Sequence, residues 1–132
     1  MGGSSKGRPG RRVVREAAAP YGSLDQANRL ERAIDLLGAT EVARVLGVSK
    51  SQPSRWRSGA ERIGHENLTR LLELDLIVSR LLLAFADREG VASFLDGTNA
   101  FLNFAQPRVV MELSGPLAIL PAIEGWEQGA YA

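Results

Sequence analysis

The chain has 132 residues, a net charge of +1, 45% hydrophobic residues and no cysteine. That is enough for one domain or a small domain with an extension, and it excludes disulfides and thiolate metal sites. The most apolar run, Leu68 to Ala86, is interrupted by Arg70, Glu73, Asp75, Ser79 and Arg80, so it is not a membrane span; the N-terminus has basic residues but no apolar signal core, which points to a cytoplasmic protein.

Residues 1–22 are read as a disordered basic tail, rich in Gly, Ser, Pro and Arg. Within it, Lys6-Gly7-Arg8-Pro9 resembles the core of an AT-hook; a plain solvated tail is the favoured reading, with a basic arm for the minor groove as the functional alternative. From Leu24 to Leu37, apolar residues at 24, 27, 30, 33, 34 and 37 predict a helix that Gly38 ends.

Residues 23–65 are then expected to form a helix-turn-helix domain. Thr40 is placed to cap a short helix with Val42, Ala43 and Leu46 on its apolar face. Gly47 supplies the left-handed backbone of a tight turn, Val48 anchors that turn, and Ser49 is placed to cap a second helix. That second helix carries Lys50, Ser51, Gln52, Ser54, Arg55 and Arg57, and Gly59 closes it. Pro53 falls in its first turn, where a missing N–H costs least. Such a helix suits the DNA major groove: Gln52 can pair with adenine, Arg55 with guanine or phosphate, and the serines with either. Trp56 is large and apolar, and is expected to pack between helices.

A long helix is predicted from Glu66 to Phe85, within a connecting or dimerisation segment of residues 66–90 that Gly90 breaks. Its apolar residues cover more than one face, and a surface helix in a monomer needs one stripe. A homodimer seam is the expected cover for the second face, with the C-terminal segment as the competitor. Residues 91–132 differ in texture, with Gly97, Asn99, Pro107, Gly115, Pro116, Pro121, Gly125 and Gly129 punctuating two short helices over 106–113 and 117–126. The expected fold is all-α: a helix-turn-helix bundle followed by a small helical domain.

Charge divides along the chain. Residues 1–15 carry +5 and residues 39–65 carry +3, whereas the chain from Asp96 onward carries −3. The front attracts phosphates; the acidic tail would be repelled by DNA and suits a protein partner. Nothing points to an enzyme, a metal or a cofactor. His65 is the only histidine and is expected to face solvent or cap a helix, Glu124 and Glu127 share a helix face without a nucleophile or ligand partner, and no phosphate-cradling glycine loop is present.

The stretch Ala39 to Gly59 resembles the Xre/Cro-like repressors. The C-terminal part, with Phe94-Leu95, Asn99, Leu102, Pro107, Val110, Gly115, Ile119-Leu120, Ile123-Glu124 and Gly129-Ala130-Tyr131-Ala132, resembles the toxin-binding domain of Xre/MbcA/ParS-type antitoxins. It departs from that pattern at Phe94, where Trp is common, at Pro121 within the last helix, and in its basic N-terminal tail. The resemblance implies an antitoxin that blocks a RES-domain, NAD-degrading toxin and represses its own operon as a homodimer or a larger complex with toxin. Gly129, Ala130, Tyr131 and Ala132 would do the blocking, with Ile123, Trp126 and Glu127 packing alongside. The alternative is a plain Xre-family repressor whose C-terminal region dimerises or senses a ligand.

Overall fold

The structure is a computed structural model that describes the backbone of residues 18–129 and the side chains of residues 26–129. The AT-hook-like Lys6 to Pro9 and the last three residues, Ala130 to Ala132, lie outside the described residues. The described residues form seven α-helices: α1 (Ala18–Leu37), α2 (Ala39–Leu46), α3 (Gln52–Ser58), α4 (His65–Ala84), α5 (Arg88–Asp96), α6 (Pro107–Ser114) and α7 (Leu120–Glu127). Two 3-10 turns, Ala100–Leu102 and Pro116–Ile119, complete the described residues. The fold is all-α, as the sequence periodicity implies.

Several local expectations are corrected. The first helix begins at Ala18 rather than Leu24; the alanines there favour helix, and Pro20 falls where its missing N–H is tolerated. Thr40 does not cap α2: the helix start lies two residues earlier, at Gly38, whose φ of 89° and carbonyl bond to Val42 N–H make the junction without any side chain. Ser49 does not cap α3 either. The turn runs on to Ser51 before the helix begins at Gln52, and the Ser49 carbonyl accepts the Gln52 N–H at 3.0 Å. Gly90 does not break the long helix. That helix ends where Phe85 turns extended, and Asp87 then caps α5 by accepting the Gly90 N–H at 2.8 Å. Pro121 delays the last helix: Pro116–Ile119 is a 3-10 turn, and α7 starts at Leu120 with proline in its first turn.

One continuous core joins these elements. Leu30 and Ala33 of α1, Val42, Val45 and Leu46 of α2, and Trp56 of α3 meet Leu71, Leu74, Ile77, Val78 and Leu81 of α4. Val91, Leu95, Met111, Ile119 and Ile123 extend the same cluster into the C-terminal half. Trp56 is buried between helices, as its size demands. Helix α4 is the spine: α1 packs on one flank, and the 3-10 turn 116–119 with α7 packs on another. Asp75 receives Arg29 at 3.3 Å and also Arg32, which locks the first flank; Arg80 is bonded to Glu127 at 2.6 Å and locks the second.

The C-terminal half therefore does cover α4, yet it does not cover all of it. Leu72, Leu76 and Leu83 remain exposed, Leu83 at 84%. At 100° per residue they form one stripe opposite the buried line through Leu74 and Leu81. The apolar excess of this helix is thus divided between intrachain packing and an open face.

Candidate functional site

The helix-turn-helix is built on backbone geometry at Gly47. Its φ of 73° and ψ of 31° place it in the left-handed region, and its N–H donates back to Arg44 at 3.2 Å. The Val48 N–H reaches Ala43 at 3.0 Å. This pair of bonds is the Schellman arrangement, which satisfies carbonyls left over at the helix end. Val48 packs against the core, and Arg70 of α4 donates to the Val45 carbonyl at 2.9 Å, so α2 is tied down from two sides.

Helix α3 buries Pro53 and Trp56 and turns the rest outward. Lys50, Ser51, Ser54 and Arg55 are exposed and Gln52 is half-buried, and Arg55 joins Ser51 and Gln52 by hydrogen bonds of 2.8 Å each. Arg57 lies on the flank instead. Its Nε donates to Glu31 of α1 at 2.7 Å and its Nη2 at 3.2 Å, a bidentate pairing that braces α3 against α1. The structure also brings in a residue that sequence reasoning missed. Glu61 accepts from both Gln52 and Arg55, at 2.8 Å each. Those two bonds, Gln52 first, hold its carboxyl below the usual glutamate range. Sequence spacing carries no signal for this, because Glu61 reaches the helix only after the turn at Gly59.

The C-terminal half presents a second region. Phe85, Phe94 and Trp126 form an aromatic cluster, with ring centroids 5.1 Å apart for Phe85–Phe94 and 4.9 Å for Phe85–Trp126. Trp126 is half-exposed over this cluster, and Glu127 is held by Arg80, whose hydrogen bond lowers the Glu127 pKa. Gly129 follows in left-handed backbone at φ 75°. Ile123 is fully buried, so it seats α7 in the core and is not itself a surface group.

Beside this end of α7 lies a strained loop that sequence reasoning did not single out. Asn103 and Phe104 adopt φ of 55° and 65°, positions that side chains other than Gly rarely take. Buried Asn99 holds the loop: its Oδ1 accepts the Phe101 N–H at 2.9 Å, and its carbonyl accepts the Leu102 and Phe104 N–H groups at 3.0 and 2.8 Å. The result displays Phe104 at 70% exposure and lays Phe101 against Gly125. A Cβ at Gly125 would stand 2.5 Å from the Phe101 ring, so this glycine is what lets the loop and α7 meet. The only legible signal was the density of Gly, Asn and Pro around them.

The two regions are joined through a buried acid. Glu41 of α2 sits under α6, with Arg108 at 3.7 Å and Arg44 at 3.6 Å. Its Oε2 is buried without a partner as a carboxylate. Burial, reinforced by the neighbouring Glu112 carboxyl, raises its pKa to about 7. A proton resolves both problems, since the protonated acid becomes a donor to Glu112. Arg108 is anchored in turn by Asp96 at 2.6 Å.

No family model matches the sequence, and no curated protein matches it. Among solved structures, the fold is similar to that of a chain in the crystal structure of the M. tuberculosis MbcT–MbcA toxin–antitoxin complex. The TM-score is 0.63 at 23% identity, over 80% of this chain and 96% of that chain. At this identity the likeness establishes the fold.

Proposed function

We propose that the chain is an antitoxin that binds and blocks a cognate toxin through its C-terminal half and represses its own operon through α3. The observation that carries this reading is the fold likeness to a chain of a toxin–antitoxin complex, which spans nearly all of that chain. It covers 80% of this chain. The sequence resemblance to Xre/MbcA/ParS-type antitoxins supports the same partner class, a RES-domain toxin that degrades NAD. The residues 129–132 would enter the toxin's active site, with Trp126 and Glu127 beside them and Ile123 holding α7 beneath. An acidic region of this kind complements a basic nucleotide pocket, and half-exposed Trp is a common interface anchor.

For DNA, the candidate set is Lys50, Ser51, Gln52, Ser54 and Arg55, in which Arg55 acts by aligning its neighbours, with Arg57 orienting the helix from its flank. Operator binding as a homodimer is supported by the stripe of Leu72, Leu76 and Leu83 on α4, since a palindromic site needs two recognition helices in fixed register. The direct experiment is co-expression with the product of the reading frame adjacent to this gene. A stable complex with loss of toxicity is expected. Free passage of the two proteins through gel filtration would remove the antitoxin reading and leave a plain repressor.

A further inference from the structure

The outer end of α3 carries a closed hydrogen-bond network. The Glu61 N–H donates to the Arg55 carbonyl at 3.3 Å, which folds the chain after Gly59 back over the helix. Glu61 Oε1 then accepts from Gln52 Nε2 and Arg55 Nε at 2.8 Å each. Arg55 Nη1 donates to Ser51 Oγ at 2.8 Å; its Nη2 donates to Gln52 Oε1 at 2.8 Å and to Ser49 Oγ at 3.4 Å. A guanidinium has five N–H groups, and four of them are engaged within the protein. Bidentate reading of guanine needs two parallel donors, and this arrangement does not offer them. Arg55 in this state is a brace that aligns Ser49, Ser51 and Gln52, and Glu61 is what holds the brace.

We propose that Glu61 is a positioning residue for DNA recognition, which confines Arg55 and orients Gln52 so that the helix discriminates its operator instead of gripping phosphates at large. The proposal rests on the reading of α3 as the DNA-contacting helix. A released guanidinium binds phosphate strongly and bidentately, and phosphate contacts add affinity without sequence information. Glu61 neutralises that charge locally. At the same time it fixes which way the Gln52 amide faces, which decides whether it can present its donor and acceptor to adenine. Because its carboxyl titrates below the ordinary glutamate range, it stays ionised at neutral pH.

The test uses the full chain, a duplex from upstream of its own gene, and a scrambled duplex of equal length, with affinities measured across a salt series. The variants are Glu61→Ala, Glu61→Gln, Arg55→Ala and the Glu61→Ala/Arg55→Ala double. Glu61→Ala is expected to shrink the preference for the upstream duplex roughly fivefold or more, equivalent to about 1 kcal/mol. It should also steepen the log–log salt dependence by about 0.9, the value for one added phosphate contact. Glu61→Gln, which keeps an acceptor but no charge, should fall between Glu61→Ala and the unmodified chain. In the Arg55→Ala background, Glu61→Ala should no longer steepen the salt dependence, because that effect passes through Arg55, and should lower the preference only by the share that its direct bond to Gln52 carries. An equal steepening of the salt dependence in both backgrounds would show a general loss of negative charge and overturn the proposal, as would an unchanged preference in Glu61→Ala. The underlying reading fails differently: the unmodified chain would show no preference for its upstream duplex, or Lys50→Ala and Ser54→Ala would leave binding untouched. Glu61 is exposed, so the variants should keep the parent circular dichroism spectrum and melting curve.

Discussion

Replacing Glu41 by Gln should make the protein more stable at pH 8 and leave it unchanged near pH 4.5. The carboxyl is 7% exposed, and its pKa in the folded chain is raised from 4.5 to about 7, first by burial and then by Glu112. Between those two values the folded protein holds a proton that the unfolded chain has released, so stability falls as pH rises through this window. The stabilisation is complete below about 4.5 and is lost above about 7. Taken at face value, the shift corresponds to about 3 kcal/mol at 1.36 kcal/mol per unit. Arg44 at the rim is 62% exposed, so solvent screens the cluster, and a penalty of roughly 1–2 kcal/mol is the appropriate expectation. Gln keeps the shape and a donor for Glu112 without the charge. Urea unfolding read by Trp fluorescence should give the variant a midpoint about 1 M higher at pH 8, for an m-value on the order of 1.5 kcal/mol/M. Taking the difference between the two proteins at each pH cancels the other carboxylates. A difference of the same size at pH 4.5 and pH 8 would refute the reasoning, because no proton would then be linked to this site.

Gly125→Ala should destabilise the chain by about 1–2 kcal/mol, since the new methyl meets the Phe101 ring and the ring must move. Made together with Phe101→Ala, the same substitution should become neutral or stabilising by up to about 1 kcal/mol, because Ala is the better helix former. Thermal melts of the four proteins decide it, and an unrelieved penalty in the double variant would mean that the clash lies elsewhere. Leu76→Glu should convert a dimer to a monomer by sedimentation equilibrium without lowering the melting temperature of the monomer, as this side chain is already 46% exposed. A monomeric parent at tens of micromolar would remove the α4 stripe from the dimer proposal.

What was legible in the sequence was what depends on near neighbours. The turn at Gly47, the end of α3 at Gly59 and the burial of Trp56 follow from glycine backbone preference and apolar periodicity over a few residues. Even locally, the caps misled. Thr40 and Ser49 are good capping residues in general, but Gly38 and the longer turn to Ser51 satisfy the helix starts without them. The sequence offered the candidate site as a list of residues on α3 and the C-terminal region, not as an arrangement, and Ile123 of that list is buried in the core. Arg57 facing Glu31, Glu61 joining Gln52 to Arg55, and Arg80 reaching Glu127 across 47 residues all depend on tertiary packing that spacing does not encode. The strained display of Phe104 is of the same kind. Nothing in its own residue type asks for positive φ, and Asn99 imposes it from the far side of the loop.

The most direct measurement of the antitoxin reading is inhibition of NAD consumption by the protein encoded next to this gene, titrated with the full chain and with a chain lacking Gly129 to Ala132. Operator affinity is measured on the same two samples. The full chain is expected to inhibit at near-stoichiometric ratio. The shortened chain should need roughly 30-fold more protein, the loss expected when an anchoring segment worth about 2 kcal/mol is removed, and it should bind DNA as before. Equal inhibition by both chains, or no inhibition by the full chain, would contradict the placement of the blocking function in the C-terminal segment.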